Sequence, residues 1–356
     1  MISTNRLILI GLIGGLIGAS YAVRVMAPVG MDPSILLALG EESSLQTSYA
    51  SDLLGEVAVR PSLGHDGKFF FAQANDPWFL DPENHAAVLD RPAYRGQRML
   101  YPMVAGGFGL FSPTVTVWAM VAWNVAAMGA GAALLAALVR GWGATPWLGL
   151  AFPVNLGLLS ELSIGGAGII ALALGVAAVL AFERDRLLAA ATCLALAALS
   201  REVMLAFAAG LAISAWIATR RVRWQLMLAP VLAVVVWGLY LRSRVGSLAS
   251  DPQVRELTLP FVGLGEAAGY WLHDGTDLAI GIIFVVTLIL FAIRAVRGTN
   301  PLAWGALPFV ALASMLSVFV WREHFDIARA IAPVLTAYPV LLFLSRRKAP
   351  DLAASS

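Results

Sequence analysis

The acid best placed for chemistry in this sequence is Asp66, which lies between His65 and Gly67. It precedes an apolar run, residues 68–74, that predicts a short helix. A carboxylate at this place could act as a general base that takes a proton from an acceptor hydroxyl. It could also cap the helix, because Asp is favoured at N-caps and Asp-Gly is a turn signal. The two roles are compatible. His65 could orient Asp66, bind a metal ion or face solvent.

Two arginines, Arg95 and Arg98, follow in the same polar segment. Because they are three residues apart, they are expected to share a helix face. Guanidinium groups suit two-point recognition of phosphate. The neighbouring Tyr94 and Tyr101 fit an aromatic belt at a membrane interface. The pair therefore predicts a phosphate site, and the alternative is an interfacial belt that contacts ordinary lipid headgroups.

Further ionisable residues interrupt the apolar stretches downstream. Such residues in or beside membrane spans are costly and suggest functional sites. Glu161 is one, and a carboxylate in water at a helix end is the alternative. Arg201 and Glu202 are adjacent, so their side chains diverge and are expected to pair with other helices. Arg201 could hold a phosphate that Glu202 orients, or both could lie in an interfacial turn. Arg329, at the end of the charged segment 322–329, is open to the same functional and interfacial interpretations.

The composition identifies the class of protein. The chain has 356 residues, of which 59% are hydrophobic and 13% are charged, about half the charged share of an average soluble domain. Several apolar runs approach the roughly 20 residues needed to cross a bilayer, so we expect a polytopic helical membrane protein. The net charge of +2 gives no indication of nucleic-acid binding. Cys193 is the only cysteine, which excludes an intrachain disulfide and a cysteine-based metal site.

The apolar runs predict an all-α bundle of about ten crossings in one transmembrane domain, residues 1–348, with a disordered tail at 349–356. The first run is expected to be an uncleaved span, although a cleaved signal peptide is the alternative. Residues 99–111 would give roughly 20 Å of helix, too little for a ~30 Å core, so we expect them to lie at the interface or to be re-entrant. The short basic loops then all lie in the cytoplasm, and the large loop 27–97 lies outside. The predicted spans are 7–26, 114–139, 145–160, 164–182, 187–199, 203–218, 226–241, 278–293, 302–320 and 328–344.

Several short motifs resemble those of bacterial integral-membrane glycosyltransferases of the GT-C type, in a largely uncharacterised group related to mannosyltransferases. That family typically has Tyr-Asp-Gly-Gln before aromatic residues, then Asp-Pro, an Asn-Pro-Ala-Tyr-Arg-x-Gln-Arg-x-Leu-Tyr-Pro stretch and a later Thr-Arg-Glu. This chain departs from the pattern at His65 and Lys68, which replace Tyr and Gln, and it lacks a second acid after Glu161. The matching segments are residues 65–70, 76–77, 91–102 and 200–202, with a further likeness at 325–333 around Arg329.

The resemblance implies a membrane transferase that moves a sugar from a polyprenyl-phosphate donor to a glycan, lipid or protein acceptor. The active site would lie on the extracytoplasmic side of a bacterial inner membrane, among membrane lipids, with Asp66 as the general base. A divalent metal is compatible with this chemistry, but nothing in the spacing demands one. The rival predictions are a transporter or lipid flippase, and a non-catalytic scaffold subunit. The predicted substrate- or phosphate-binding residues are His65, Lys68, Tyr94, Arg95, Arg98, Glu161, Arg201, Glu202 and Arg329.

Overall fold

The computed structural model describes residues 4–246 and 257–344, which form an all-α structure. Within these residues there is no strand, and two isolated β-bridges join Gly40 to Arg60 and Leu257 to Leu316. The predicted tail at 349–356 lies outside the described residues. The helices are α1 (Thr4–Met26), α2 (Ser44–Leu54), α3 (Gly67–Asn75), α4 (Pro92–Arg95), α5 (Leu100–Ala105), α6 (Pro113–Gly141), α7 (Leu156–Ser163), α8 (Gly168–Glu183), α9 (Leu187–Ser200), α10 (Met204–Thr219), α11 (Gln225–Val245), α12 (Val262–Trp271), α13 (Gly275–Val296), α14 (Pro301–Ala306), α15 (Pro308–Met315), α16 (Val318–Arg322), α17 (His324–Ala330) and α18 (Ala332–Phe343).

Fewer of these helices are long enough to cross a bilayer than the sequence predicts. In the described part of the chain, α1, α6, α11 and α13 are both long and apolar enough, and α17 with α18 could make a fifth span that is bent by 70°. The helices α8, α9 and α10 are apolar but shorter, as is the broken pair α14 and α15. Residues 99–111 form only the six-residue α5 and a 3-10 turn, Gly107–Gly109, so they are too short to cross.

Three predicted spans, 145–160, 302–320 and 328–344, are broken because prolines and caps end or start helices inside them, and the last of them is divided between α17 and α18. Residues 145–160 form a 3-10 helix, Pro146–Ala151, and then the separate α7. The run 302–320 is divided among α14, α15 and α16, and Pro308 opens α15. Proline lacks an N–H group and clashes with the preceding turn, so it starts a helix readily but seldom continues one. Each of these runs is apolar enough to resemble a span, but none is one straight helix.

The segment 27–97 is a folded layer that packs against the helical bundle. Its helix α3 is buried along nearly its whole length, and Phe70 and Phe71 join the same apolar cluster as Tyr101 of α5. The start of α3 lies so close to the loop after α7 that a Cβ on Gly67 would be 2.4 Å from the carbonyl oxygen of Ile164. Arg60 donates to the carbonyl of Ser163 at 2.5 Å. These contacts fix Asp66, the residue before α3, against the ends of the bundle helices.

Candidate functional site

Asp66 occupies the N-cap position of α3, but its carboxylate does not cap the helix. Its backbone carbonyl accepts the N–H groups of Phe69 and Phe70 at 3.0 and 3.1 Å. Its side chain instead binds guanidinium groups, since Oδ1 accepts from Nη1 of Arg95 at 2.6 Å and Oδ2 accepts from Nη2 of Arg329 at 2.9 Å. The local turn therefore fixes the backbone of Asp66, while its carboxylate pairs with arginines that are distant in the sequence.

Arg98 and Glu202 form a two-point ion pair beside Asp66. The Nε and Nη2 atoms of Arg98 donate to the two carboxylate oxygens of Glu202 at 2.9 and 2.8 Å. Nη1 of Arg98 lies 3.4 Å from Asp66 Oδ2, and Nη2 also donates to the hydroxyl of Tyr94. The ring of Tyr94 lies 4.8 Å from the Arg98 guanidinium. Stacking and a bidentate carboxylate together hold this arginine in one orientation.

Glu161 joins the second half of the same network. It is 2% exposed, and its Oε1 accepts from Nη1 of Arg201 at 2.6 Å and from Nε of Arg329 at 3.1 Å. Its Oε2 accepts the backbone N–H of Gly168, at the start of α8, at 3.1 Å. Arg329 also binds Asp326 at 2.8 Å, one turn earlier on α17. Arg329 therefore bridges Glu161 to Asp66 and connects α17 with both α7 and α3.

These contacts define an arginine–carboxylate cluster in which positive and negative charges balance. Four arginines face four acids, so the formal charge of the cluster cancels, and Asp90 supplies a further carboxylate to Arg95 at 2.8 Å. Ion pairs repay the desolvation of buried charges only when hydrogen bonds accompany them, as they do here. The cluster consists of Asp66, Arg95, Arg98, Glu161, Arg201, Glu202, Asp326 and Arg329.

The cluster controls the protonation of Asp66. Burial alone would raise the pKa of Asp66, but the guanidinium groups of Arg329, Arg98 and Arg95 outweigh burial and hold that pKa well below its usual range. Burial likewise opposes the charge on Arg98, yet Glu202 and Asp66 raise its pKa above the ordinary arginine value. Asp66 and Arg98 are therefore both charged across the physiological pH range.

A cavity of about 460 Å³ opens onto the cluster and has an amphipathic lining. Apolar side chains from α7, α8, α10 and α15 form much of the rest of its wall, among them Leu158, Leu172, Met204, Phe309 and Leu312. A cavity of this size accommodates a small ligand, and a few convergent polar groups in an apolar wall are typical of ligand sites. The polar lining residues are His65, Asp66, Tyr94, Arg95, Arg98, Glu161, Arg201, Glu202, Asp326 and Arg329.

Arg201 has fewer carboxylate partners for its guanidinium group than the other three arginines of the cluster. Among residues 4–246 and 257–344, the one hydrogen bond of its side chain goes to Glu161, so four of its five N–H donors have no protein acceptor there. Arg95, Arg98 and Arg329 each bind two or more carboxylates. Arg201 lines the cavity, and its free donors make it the side chain best suited to bind an anion there.

The structure brings together all the predicted site residues except Lys68. The ammonium group of Lys68 donates to Ser43 Oγ at 2.5 Å and to the carbonyl of Leu63, so it ties down the segment 27–97 and does not line the cavity. Sequence reasoning left Asp326 and Asp90 out of the predicted site. Asp326 could have been found from its i, i+3 spacing to Arg329, which places both on one face of a helix.

The carboxylates of the cluster do not fit a resident divalent cation in this arrangement, because guanidinium groups or a backbone N–H hold most of their oxygens. Within the two described ranges, no group of three His, Cys, Asp or Glu side chains is arranged to hold a metal ion. Comparison with known proteins found no family model, curated protein or solved structure that matches this chain. The resemblance to GT-C transferases therefore depends on the sequence motifs alone.

Proposed function

We propose that this protein is a membrane glycosyltransferase that uses a polyprenyl-phosphate-linked sugar as donor. The observation that carries the proposal is the cavity, where an arginine with free donors belongs to a charged part of the wall and apolar side chains form the remainder. A lipid-linked phosphate needs both a cationic and an apolar environment, because its headgroup is an anion and its chain is a hydrocarbon. The motif resemblance around Asp66 and Arg98 supports the same reaction class.

In this reaction an acceptor hydroxyl attacks the anomeric carbon of the donor sugar, and the polyprenyl phosphate leaves. Negative charge grows on the leaving phosphate, and Arg201 is placed to stabilise it by N–H donation. The cluster fixes the position of Arg201 through Glu161, so little reorganisation is needed when charge develops. Asp66 as the general base stays a prediction; its ion pairs lower its proton affinity and favour a role in holding the arginines.

For topology we propose about ten crossings in a bacterial inner membrane, with the cluster on the extracytoplasmic side. The short helices α8, α9 and α10, together with the broken segments, would supply the crossings beyond the four long helices. The basic loops around Arg140 and Arg221 would then lie in the cytoplasm. Single cysteines placed in the segment 27–97 and near Arg221, after removal of Cys193, would report their sides to an impermeant thiol reagent. Labelling of both from the same side of intact cells contradicts this topology.

The enzymatic test is a transfer assay in proteoliposomes with a panel of polyprenyl-phosphate sugars and mixed lipid and glycan acceptors. Wild-type protein is expected to form a new glycoside from at least one donor. Arg201→Gln should weaken the use of that donor, because the free donors near the phosphate are lost. The matched control is Arg221→Gln, an exposed arginine outside the cavity, which should behave as wild type. Failure of the wild type with every donor would refute the transferase.

A lipid flippase or transporter is the second candidate, and one observation favours it. Helices α17 and α18 meet at a 70° bend directly after Arg329, and transporters often place charged binding sites at broken helices. The same assay separates the two functions. A flippase moves the lipid-linked sugar between leaflets without forming a new glycoside, whereas a transferase releases the polyprenyl phosphate.

A further inference from the structure

The carboxylate of Asp66 is poorly available as a proton acceptor in this structure. Both of its oxygens accept hydrogen bonds from guanidinium groups of Arg95 and Arg329, at 2.6 and 2.9 Å. A general base needs a free lone pair within reach of the substrate proton and a pKa near the working pH. The ion pairs engage both carboxylate oxygens and keep the pKa of Asp66 low. A neighbouring group is better suited to take the proton.

His65 is that neighbour. Its side chain lines the cavity beside Asp66, and it makes no side-chain hydrogen bond to any residue in the described ranges 4–246 and 257–344. Its backbone is fixed, because its N–H donates to the carbonyl of Ala38 at 2.9 Å and the preceding Gly64 adopts a positive φ of 70°. The imidazole is therefore held at the cavity wall by its backbone, while its ring nitrogens stay available to a ligand.

We propose that His65 is the proton acceptor of this site, and that Asp66 holds the arginines in place. The inference rests on the proposed transferase function. The oxygen of the acceptor hydroxyl forms a bond to the anomeric carbon, and the bond from that carbon to the phosphate oxygen breaks. The electron pair leaves with the polyprenyl phosphate, and the hydroxyl proton passes to an imidazole nitrogen of His65 and then to water.

The surroundings of His65 favour the neutral ring, which is the form that accepts a proton. Burial lowers the pKa of His65; Asp326 of α17 and Asp66 beside it act in the opposite direction, whereas Arg329 and Arg60 lower the pKa further. The net result is a pKa below that of a free histidine, so the ring is neutral at pH 7. Activity that depends on His65 should therefore fall as the pH drops through a value below about 6.5.

The test compares His65→Gln with wild type in the transfer assay, with His273→Gln as a matched control at an exposed histidine. We expect His65→Gln to reduce kcat by about 10²–10⁴-fold and to leave KM for the donor unchanged, since a positioned base contributes about that much. The acid limb of the pH profile should disappear. In His65→Ala, added imidazole should restore part of kcat, a readout that a purely structural role would not move.

The outcomes separate this inference from the transferase itself. If the wild type is active and His65→Gln has the same kcat and the same acid limb in its pH profile, His65 is not the base, but the transferase proposal stands. A wild type that is inactive with every donor overturns both. If His65→Gln does not fold, carbethoxylation of the wild type decides the matter: the rate of inactivation should follow modification of His65 and reverse with hydroxylamine. Full activity after modification of His65 would overturn the inference.

Discussion

Replacing Asp66 by Asn tests whether this residue acts as a cap or as the centre of the cluster. Asn caps helices about as well as Asp, so a cap would leave stability unchanged. The structure indicates a different result, because the side chain accepts no cap hydrogen bond and faces three arginines. Those arginine side chains are only 8–13% exposed, and Asp66 itself is 19% exposed, so solvent screens the lost charge weakly.

The expected loss is about 3 kcal/mol in the free energy of unfolding. Removing one partner of a buried ion pair typically costs about 3–5 kcal/mol. The lower end applies because the amide oxygen of Asn still accepts one hydrogen bond. In addition, Arg98 keeps Glu202, Arg95 keeps Asp90 and Arg329 keeps Glu161. At about 2 °C per kcal/mol for a chain of this size, the midpoint of thermal unfolding in detergent should fall by about 6 °C.

The matched control is Asp274→Asn, at a residue whose carboxylate does cap a helix. Asp274 Oδ1 accepts the N–H of Thr276 at 2.7 Å at the start of α13. This variant should unfold at the wild-type temperature, because Asn supplies the same acceptor. If Asp66→Asn also unfolds at the wild-type temperature, the cluster does not depend on the charge of Asp66 and the reasoning fails. A large loss of transfer activity in an Asp66→Asn protein of undiminished stability would support Asp66 as the base.

Three further predictions concern Arg98, the close backbone contact at Gly106 and the acid stability of the wild type. Arg98→Lys should lower the free energy of unfolding by about 1–3 kcal/mol, because an ammonium cannot grip both oxygens of Glu202; wild-type stability would show that the two-point contact is dispensable. Gly106→Ala should destabilise the fold, since the new Cβ would lie 2.0 Å from a backbone oxygen, whereas Gly238→Ala meets nothing within 4 Å and should unfold at or slightly above the wild-type temperature. Below about pH 4, wild-type protein should lose the stability that the lowered pKa of Asp66 provides, and Asp66→Asn should show a shallower acid dependence in the same thermal scans.

The sequence predicts individual features of the site better than it predicts their partners. Asp66 before an apolar run correctly predicts a helix at residues 68–74, because Asp-Gly followed by aromatic residues is a local signal. Arg201 and Glu202 diverge as expected, to Glu161 of α7 and to Arg98, but they lie in the turn between α9 and α10, and Arg98 lies in the loop between α4 and α5. The contact of Asp66 with Arg329 spans 263 residues and depends on tertiary packing, which no local spacing encodes.

The helix breaks show a second limit. Most residues of the run 145–160 are apolar, and the polar Asn155 inside it is only a weak sign of a helix boundary. In the structure Asn155 caps α7 with its side-chain oxygen, and its amide donates to Ala332 and Thr336 of α18. One polar residue therefore begins α7 and anchors it to α18. Apolar composition measures solubility in lipid, whereas caps and prolines decide where each helix stops.

The balance of charge in the cluster bears on how a phosphate would bind. A cluster with an excess of arginine would attract phosphate strongly but would also cost much to desolvate beside an apolar wall. Here all four arginines have carboxylate partners, but Arg201 has only Glu161, so most of its donors are free and one anion could bind without displacing an ion pair. Such a site favours a singly charged phosphodiester over a more highly charged diphosphate, since every other arginine among the described residues that line the cavity already has two or more carboxylate partners.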